Sequence, residues 1–282
     1  MTREISRENF TLEAAGLRLA ARRIVPAGAP LRSVQQNARQ NGVPFLVFLH
    51  EALGSIGQWK GFPEDLATLT GLPALVYERQ GHGRSTPLTL PRRSDYLDHE
   101  ATVVLPAVLA AAGIDPGIDR PIPVGHSDGA TIALKYAAAF PERAAACIAL
   151  APHIMVEAAT LDGVRAAAAE PGAGEIRRRL ARYHGDGTET LWRAWTETWL
   201  RPGFQGCEMR RDLPRIACPT LAIQGRDDAY GSEEQVSLIA ERAAGPVETL
   251  LLAGCGHQPH LEQRDAVLAA AGDFLTRLAR QA

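Results

Sequence analysis

Short apolar segments alternate with helical patterns along most of this chain, and that alternation constrains its fold more than any other feature. Apolar runs bounded by glycine, proline or polar residues predict strands. Segments with helical apolar spacing separate these runs. Because strands joined by a crossover helix run parallel, the sequence predicts an α/β fold with a mostly parallel sheet flanked by helices.

The predicted elements follow one another regularly from residue 10. Two strands around Ala15 and Gly16 predict a hairpin over residues 10–24, and residues 26–44 are interpreted as a polar connection. The other predicted strands are 45–49, 74–78, 122–127, 144–152, 220–225 and 247–254. The predicted helices are 58–70, 95–112, 128–140, 232–243 and 261–280.

Residues 153–213 interrupt the alternation, because they contain helical patterns, no clear strand and three of the four tryptophans. The sequence therefore predicts a core formed by residues 1–152 and 214–282, with residues 153–213 inserted as a helical cap. Ligand crevices of open α/β sheets lie at the carboxyl edge of the strands. We expect the cap to cover that edge.

Bulk composition excludes several function classes. The formal net charge of −2 provides no basic surface for nucleic acid or an anionic membrane. The polar N-terminal stretch MTREISRENF predicts no signal peptide, and no apolar run reaches membrane-spanning length. The four cysteines are widely spaced, which favours reduced thiols. We expect a cytoplasmic protein that acts on a small molecule, and the sequence leaves its oligomeric state open.

The pentapeptide GHSDG, residues 125–129, is the motif with the clearest chemistry. It ends a predicted strand, opens a predicted helix and fits the G-x-S-x-G pattern of a nucleophile turn. Such a sharp turn exposes the Ser127 hydroxyl at a helix N-terminus, where free amides and the helix dipole favour negative charge. Glycines at both ends avoid collisions with neighbouring backbone. Ser127 is therefore the candidate nucleophile.

A nucleophilic serine needs a base, and the base needs an acid that orients it. The last predicted strand is followed by GCGHQPHLE, which offers His257 and His260. The strand before it is followed by GRDDAYG, which offers Asp227 and Asp228. The spacing alone leaves both pairs open.

Four separated motifs together resemble the α/β-hydrolase fold family of serine enzymes. FLHEALGS resembles its H-G-x-x-G-S oxyanion loop, and ERQGHGRS resembles its D-R-x-G-x-G-x-S turn. GHSDGA resembles the nucleophile elbow, and IQGRDD with GCGHQPHLE resembles the acid and base loops. The resemblance covers nearly the whole chain and implies an α/β-hydrolase fold with a Ser-Asp-His triad.

The resemblance also implies roles for individual residues. The family acid commonly falls at G-x-x-D, which is Asp228, and its histidine directly follows a glycine, which is His257. The implied oxyanion donors are the backbone N–H groups of Ala52 and Asp128. The implied function is hydrolysis of a small carboxylic ester, thioester or lactone through an acyl-enzyme on Ser127.

Other functions remain open on the same triad. A C–C bond hydrolase of a vinylogous diketone, of the meta-cleavage-product type, and an acyltransferase would use the same residues. A non-catalytic binding protein is disfavoured because all three triad residues are present. No cofactor or metal is expected, since the spacing of Cys255, His257 and His260 fits no standard zinc pattern.

Five residues are candidates for substrate contact. Trp192, Trp195 and Trp199 share one helical face, which predicts cap packing, an aromatic roof over the substrate, or both. Glu51 stands where the resembling oxyanion loop usually has glycine. Asp128 follows the serine, as in enzymes similar to the valacyclovir hydrolase (biphenyl hydrolase-like) group, which act on α-amino acid esters. We hypothesise that one of these two acids tunes the substrate charge preference.

Overall fold

The computed structural model describes residues 4–29, 44–169 and 172–281. Most of the predicted connection 26–44 lies outside the described residues. Within these ranges eight strands form one sheet, whose order is β1-β2-β4-β3-β5-β6-β7-β8. The strands are β1 (Ile5–Ala14), β2 (Leu17–Pro26), β3 (Leu46–Leu49), β4 (Ala74–Tyr77), β5 (Ile122–His126), β6 (Cys147–Leu150), β7 (Thr220–Gly225) and β8 (Val247–Leu252).

The sheet is mostly parallel, as the sequence predicted. β1 and β2 form an antiparallel hairpin through Ala15 and Gly16, both at positive φ, and β2 pairs antiparallel with β4. All other pairings are parallel. The fold is therefore an α/β fold with an antiparallel edge on a parallel sheet.

Helices cover both faces of the sheet. The helices are α1 (Phe62–Thr70), α2 (Tyr96–His99), α3 (Leu105–Ala111), α4 (Asp128–Ala139), α5 (Ala158–Ala168), α6 (Gly172–His184), α7 (Thr188–Trp199), α8 (Glu234–Arg242), α9 (Pro259–Glu262) and α10 (Arg264–Gln281). In β3, Leu46 and Phe48 belong to an apolar cluster with α1 and α10. The alternate residues Val47 and Leu49 belong to a second cluster with α3 and α4. Alternate side chains of β3 thus pack into two separate apolar cores, one on each face of the sheet.

The predicted helix 95–112 differs from expectation in one respect. Residues Glu100–Val104 form a π-helical turn between α2 and α3. Pro106 follows directly at the start of α3. Because proline has no backbone N–H, it cannot make the α-helical bond to the preceding turn, and a wider turn is accommodated there.

The sheet order places two loops side by side. The chain leaves β3 to one side to form β4 and returns on the other side as β5. Leu49 and Gly125 are paired at the ends of β3 and β5. The loops that follow these strands therefore meet at a topological switch point, where open α/β sheets bind ligands.

Between β6 and β7 the described residues contain α5, α6 and α7 and no strand. Contacts among these three helices hold them together. The boundary of a separate cap at residues 153–213 stays a prediction. No helix in the described ranges has the length and apolar character needed to cross a membrane.

Candidate active site

The turn between β5 and α4 has the strained geometry expected of a nucleophile elbow. Ser127 has φ 53° and ψ −117°, a conformation that L-residues rarely adopt. A Cβ on Gly125 would lie 2.1 Å from the Gly129 carbonyl oxygen, and a Cβ on Gly129 would lie 1.8 Å from the Leu49 carbonyl oxygen. Gly125 is therefore required for the turn to close on itself, and Gly129 for α4 to pack against the end of β3.

The structure brings Ser127, His257 and Asp228 into one hydrogen-bonded chain. Nε2 of His257 lies 2.9 Å from Oγ of Ser127. Nδ1 of the same ring lies 2.7 Å from Oδ2 of Asp228. These contacts join the ends of β5, β7 and β8, three strands whose carboxyl ends share one edge of the sheet. The arrangement is that of a nucleophile, a base and an orienting acid.

The Asp228 carboxylate is held by further donors. Gln224 Nε2 donates to Oδ2 at 2.7 Å, and the backbone N–H of Tyr230 donates to Oδ1 at 2.8 Å. Burial alone would raise the pKa of Asp228, but the contacts with His257 and the N–H of Tyr230 outweigh it and lower the pKa. The neighbouring Asp227 makes a backbone bond to Cys255 instead.

The two histidines that sequence left open lie in different surroundings. His260 is buried against the rings of Trp59, at 4.8 Å between centroids, and Phe62, at 5.6 Å. Burial lowers the pKa of His260 to about 3. His126 packs against the rings of both His257 and His260, beneath the elbow. Of the three histidines His126, His257 and His260, only His257 hydrogen-bonds Ser127 in the described part of the chain.

Three histidines hold three successive carbonyl oxygens of the loop after β3. His50 Nδ1 lies 2.7 Å from the Glu51 oxygen, His82 Nε2 lies 3.0 Å from the Ala52 oxygen, and His184 Nε2 lies 2.9 Å from the Leu53 oxygen. We call residues His50–Ser55 the oxyanion loop, after the resemblance of the sequence. Its carbonyl groups are thus fixed by ring donors from three parts of the chain.

Burial keeps these rings neutral. It lowers the pKa of His50, His82 and His184. His50 Nε2 accepts the N–H of Arg79 and His184 Nδ1 accepts the N–H of Gly83, so each ring donates through its other nitrogen. His50 and His184 therefore hold the loop through neutral rings with defined tautomers, whereas His82 has a carbonyl oxygen at each ring nitrogen, of Gln80 and of Ala52.

The N–H groups proposed as oxyanion donors are available. The N–H of Ala52 has no hydrogen-bond acceptor among the described residues. Asp128 is the first residue of α4, where an N–H has no acceptor within the helix. Both groups adjoin Ser127, since Asp128 follows it and Ala52 lines the same cavity.

The carboxylate of Asp128 is engaged inside the protein. Its Oδ2 accepts a 2.7 Å hydrogen bond from the hydroxyl of Tyr96, which itself accepts one from the indole of Trp199 at 3.1 Å. The guanidinium of Arg79 lies 3.6 Å away, and both charged side chains are buried. This arrangement favours a structural role for the Asp128 side chain over contact with substrate.

Glu51 lies close to Ser127 and His257. It lines the cavity above Ser127, and its Oε2 accepts the N–H of Leu53 at 3.3 Å. Burial raises the pKa of Glu51, while His257 and the Leu53 N–H act in the opposite direction. Burial and the carboxylates of Glu51 and Asp228 raise the pKa of Tyr230, whose ring lies 4.8 Å from His257.

The cavity above Ser127 has a volume of about 330 Å³. All three tryptophans of α7 line it, and each is more than nine-tenths buried. The shared face predicted from the sequence is therefore directed toward the site. Aliphatic side chains complete an apolar wall: Leu53, Val164, Ala167, Ile176 and Leu180.

Sequence reasoning missed two histidines of this site. His153, after β6, lies 5.6 Å from the ring of His257, and burial lowers its pKa to about 4. Its position at the carboxyl end of a predicted strand was a usable signal. His184, at the end of α6, gave none, because its partners Leu53 and Gly83 lie far away in sequence.

The described residues contain no group of three His, Cys, Asp or Glu side chains arranged to hold a metal ion. The four cysteines are free and buried. Burial raises the pKa of Cys255, next to the base loop, to about 11. The described site thus offers oxygen and nitrogen groups suited to proton transfer.

Comparison with known families identifies the family of the chain. The sequence model described as the alpha/beta hydrolase family matches residues 46–271. The chain belongs to the alpha/beta hydrolase family. The match spans both sides of the 153–213 segment and includes the oxyanion loop, the elbow, Asp228 and His257.

Solved alpha/beta hydrolase structures share the fold. The enol-lactonase from Burkholderia xenovorans LB400 is 16% identical, with a TM-score of 0.70 over 95% of this chain and 100% of that chain. A carboxylesterase from Bacillus subtilis is 15% identical, with a TM-score of 0.68 over 96% and 92%. A proline iminopeptidase from Mycobacterium smegmatis is 18% identical, with a TM-score of 0.67 over 96% and 98%.

These comparisons confirm the predicted α/β-hydrolase fold and the prediction of an alpha/beta hydrolase enzyme. At such identities the likeness concerns the fold, which supports many chemistries. No curated protein gives a significant sequence match. The substrate must therefore be argued from the site.

Proposed function

We propose that this alpha/beta hydrolase cleaves a small carboxylic ester, thioester or lactone through an acyl-enzyme on Ser127. One observation carries the proposal: His257 bridges Ser127 and Asp228 at hydrogen-bond distance on both sides. Lactonase and carboxylesterase structures among the fold neighbours are consistent with ester chemistry.

In the proposed acylation step, Ser127 Oγ attacks the substrate carbonyl carbon and His257 Nε2 accepts the hydroxyl proton. Asp228 holds Nδ1–H and stabilises the imidazolium that forms. His257 then donates the proton to the leaving oxygen or sulfur as the bond to the carbonyl carbon breaks. The acyl group remains on Ser127.

Deacylation repeats the sequence with water. His257 removes a proton from the water molecule that attacks the acyl carbon, and the proton returns to Ser127 as the acid product leaves. In both steps the N–H groups of Ala52 and Asp128 stabilise the tetrahedral oxyanion. An acyltransferase would differ only in the acceptor of the acyl group.

The cavity suggests the size and character of the substrate. Its volume of about 330 Å³ and its tryptophan-lined wall suit a small molecule with an apolar portion. We propose that residues 153–213 act as a cap, because α6 and α7 supply much of that wall. Binding of an amino group by Asp128 is disfavoured by the contacts of Asp128 with Tyr96 and Arg79.

A fluorophosphonate probe tests the proposal directly. We expect labelling of the folded wild-type protein and no labelling of Ser127→Ala, with the same dependence for hydrolysis of short p-nitrophenyl esters. Ser232→Ala is a matched control, since Ser232 lies on the surface and binds Glu157. Absence of wild-type labelling would overturn the catalytic proposal.

Substrate comparison separates ester hydrolysis from C–C bond hydrolysis on the same triad. We expect turnover of the p-nitrophenyl esters to exceed turnover of a dienoate diketone. Rapid cleavage of the diketone with negligible esterase activity would reverse that order while leaving the triad assignment in place.

A further inference from the structure

A second cavity adjoins the one above Ser127. Its volume is about 360 Å³. The two cavities share Glu51, Gln58, Arg179, Tyr183 and Gln258 among their lining residues. A substrate bound at Ser127 can therefore extend past these shared residues into a second compartment.

Helix α6 contributes one face to the cavity above Ser127. Ile176, Arg179, Leu180 and Tyr183 line it and recur at positions i, i+3, i+4 and i+7. This spacing places them on a single side of a helix. Arg179 is thus a charged residue on an otherwise apolar and aromatic stripe that faces the site.

The second cavity carries an excess of positive charge. Arg179, Arg182 and Lys60 line the second cavity, and Glu51 is the one carboxylate in its lining. Within the described part of the chain, none of these three cations has an ion pair with a carboxylate. Lys60 donates instead to the hydroxyl of Tyr183, at 2.5 Å. This excess contrasts with the net charge of −2 of the whole chain.

We propose that Arg179, with Arg182 and Lys60, forms a subsite that binds a carboxylate carried by the substrate beyond its scissile bond. The inference rests on the proposed function and adds a substrate class: esters that bear a free carboxylate. A guanidinium offers paired donors that match a carboxylate. All three basic residues are exposed, so solvent and salt screen their charges.

Glu51 is compatible with such a ligand. Three cations outnumber this one carboxylate in the lining of the second cavity, and burial raises its pKa. Its Oε2 also accepts the Leu53 N–H, so part of its charge is balanced by the loop. If Glu51 instead binds a cationic substrate, the wild-type enzyme should prefer amino-bearing esters, and the experiment below includes that outcome.

The test compares matched esters that differ in one charge. One pair is monoethyl adipate with diethyl adipate, and the other is 4-acetoxybenzoate with 4-acetoxybenzamide. In Arg179→Gln we expect kcat/KM for the anionic member of at least one pair to fall by about tenfold, with less than about a twofold change for its neutral partner. Higher salt should reduce the wild-type preference.

Arg178→Gln is the matched control, because Arg178 pairs with Glu175 and lines neither cavity. Unequal labelling of Ser127 by the fluorophosphonate in the two variants would show a general disturbance of the site and overturn the inference. Equal losses for anionic and neutral esters would also overturn it. A wild-type preference for amino-bearing esters that Glu51→Gln abolishes would do the same.

Failure of the inference and failure of the proposed function are distinguishable. If Ser127 is labelled and neutral esters are hydrolysed at least as well as anionic ones, the proposed esterase function is supported and the carboxylate subsite is refuted. If Ser127 is not labelled, the proposed function is refuted, and the subsite inference, which rests on it, is refuted as well.

Discussion

Nη2 of Arg79 donates a 2.8 Å hydrogen bond to the carbonyl oxygen of Glu51, in the peptide group that carries the N–H of Ala52. In a trans peptide the C=O and N–H bonds point in opposite directions. Fixing the carbonyl oxygen therefore fixes the direction of the proposed oxyanion donor. Because Arg79 also lies 3.6 Å from the Asp128 carboxylate, one buried side chain connects both proposed donor residues.

Arg79→Lys should weaken the oxyanion site. Lysine keeps the charge but lacks the planar group that contacts two carbonyl oxygens and Asp128 at once. We expect kcat to fall by about tenfold or more with KM little changed, because the oxyanion forms only during reaction. Steady-state kinetics on a p-nitrophenyl ester measure this, with the surface variant Arg93→Lys as control. An unchanged kcat would show that Arg79 does not position the oxyanion loop.

The two adjacent aspartates should behave very differently. Asp228→Asn removes the charge that orients His257, and we expect kcat to fall by about 10³-fold or more. Asp227→Asn should retain nearly full activity, because the contact of Asp227 with the base loop is through its backbone. Kinetics of the two purified variants provide the comparison. Equal losses in both would contradict the assignment of the acid.

The ring of His184 should matter for catalysis although it lies outside the proposed triad. His184→Ala removes the donor to the Leu53 carbonyl and the acceptor of the Gly83 N–H. We expect a fall in kcat of about fivefold to tenfold, since the loss of one positioning bond costs about 1 kcal/mol. His99→Ala is the control, because His99 lies on α2, away from the oxyanion loop. Similar kinetics for both variants would limit His184 to packing.

Gly129→Ala should strongly destabilise the fold. A Cβ at this position would lie 1.8 Å from the Leu49 carbonyl oxygen, so β3 and α4 must separate. We expect a loss of more than about 3 kcal/mol in the free energy of unfolding, measured by urea denaturation. Gly187→Ala is the control, because its added Cβ would have its nearest contact at 3.9 Å. Equal stability of the two variants would mean that the elbow relaxes without cost.

Acid should destabilise the fold through its buried histidines. Lowered pKa values occur at six of them: His50, His82, His126, His153, His184 and His260. The unfolded chain then binds protons near pH 6.5 while the folded protein does not. The free energy of unfolding should stay nearly constant above about pH 6.5 and fall below it.

Urea unfolding between about pH 7.5 and about pH 5 measures this dependence. The decline should continue toward the folded-state pKa of His153, about 4, and of His260, about 3. His260→Gln should make the decline less steep. A free energy of unfolding that does not change over this range would contradict the burial of neutral histidines.

The parts of the site that lie at strand ends could be predicted from sequence. GHSDG, GRDD and GCGH follow strands whose periodicity is strong, and parallel strands bring their carboxyl ends to one edge. The π-helical turn at Glu100–Val104 could not be predicted, because apolar spacing alone does not reveal one additional residue in a turn. Strand and helix ends differed by a few residues, as hydrogen bonding at ends depends on neighbours.

The residues that α6 contributes to the site could not be predicted, and the reason is different. The periodicity of a helix identifies which residues share a face, but not what that face covers. Arg179 and His184 acquire their surroundings only when α6 packs over the oxyanion loop and the turn near Gly83. The same limit applied to Glu51, whose direction depends on the peptide geometry that Arg79 imposes.

The two hydrogen bonds of His184 tie α6 to the oxyanion loop and to the turn near Gly83. His184 ends α6 and is bonded to Leu53 and Gly83. If α6 moves outward to admit substrate, either these bonds break or the oxyanion loop moves with the helix. An open enzyme would then have a poorly formed oxyanion site, and closure over a bound ester would restore it. Activity would thus depend on closure itself, which protects the nucleophile from unproductive chemistry while the entrance is open.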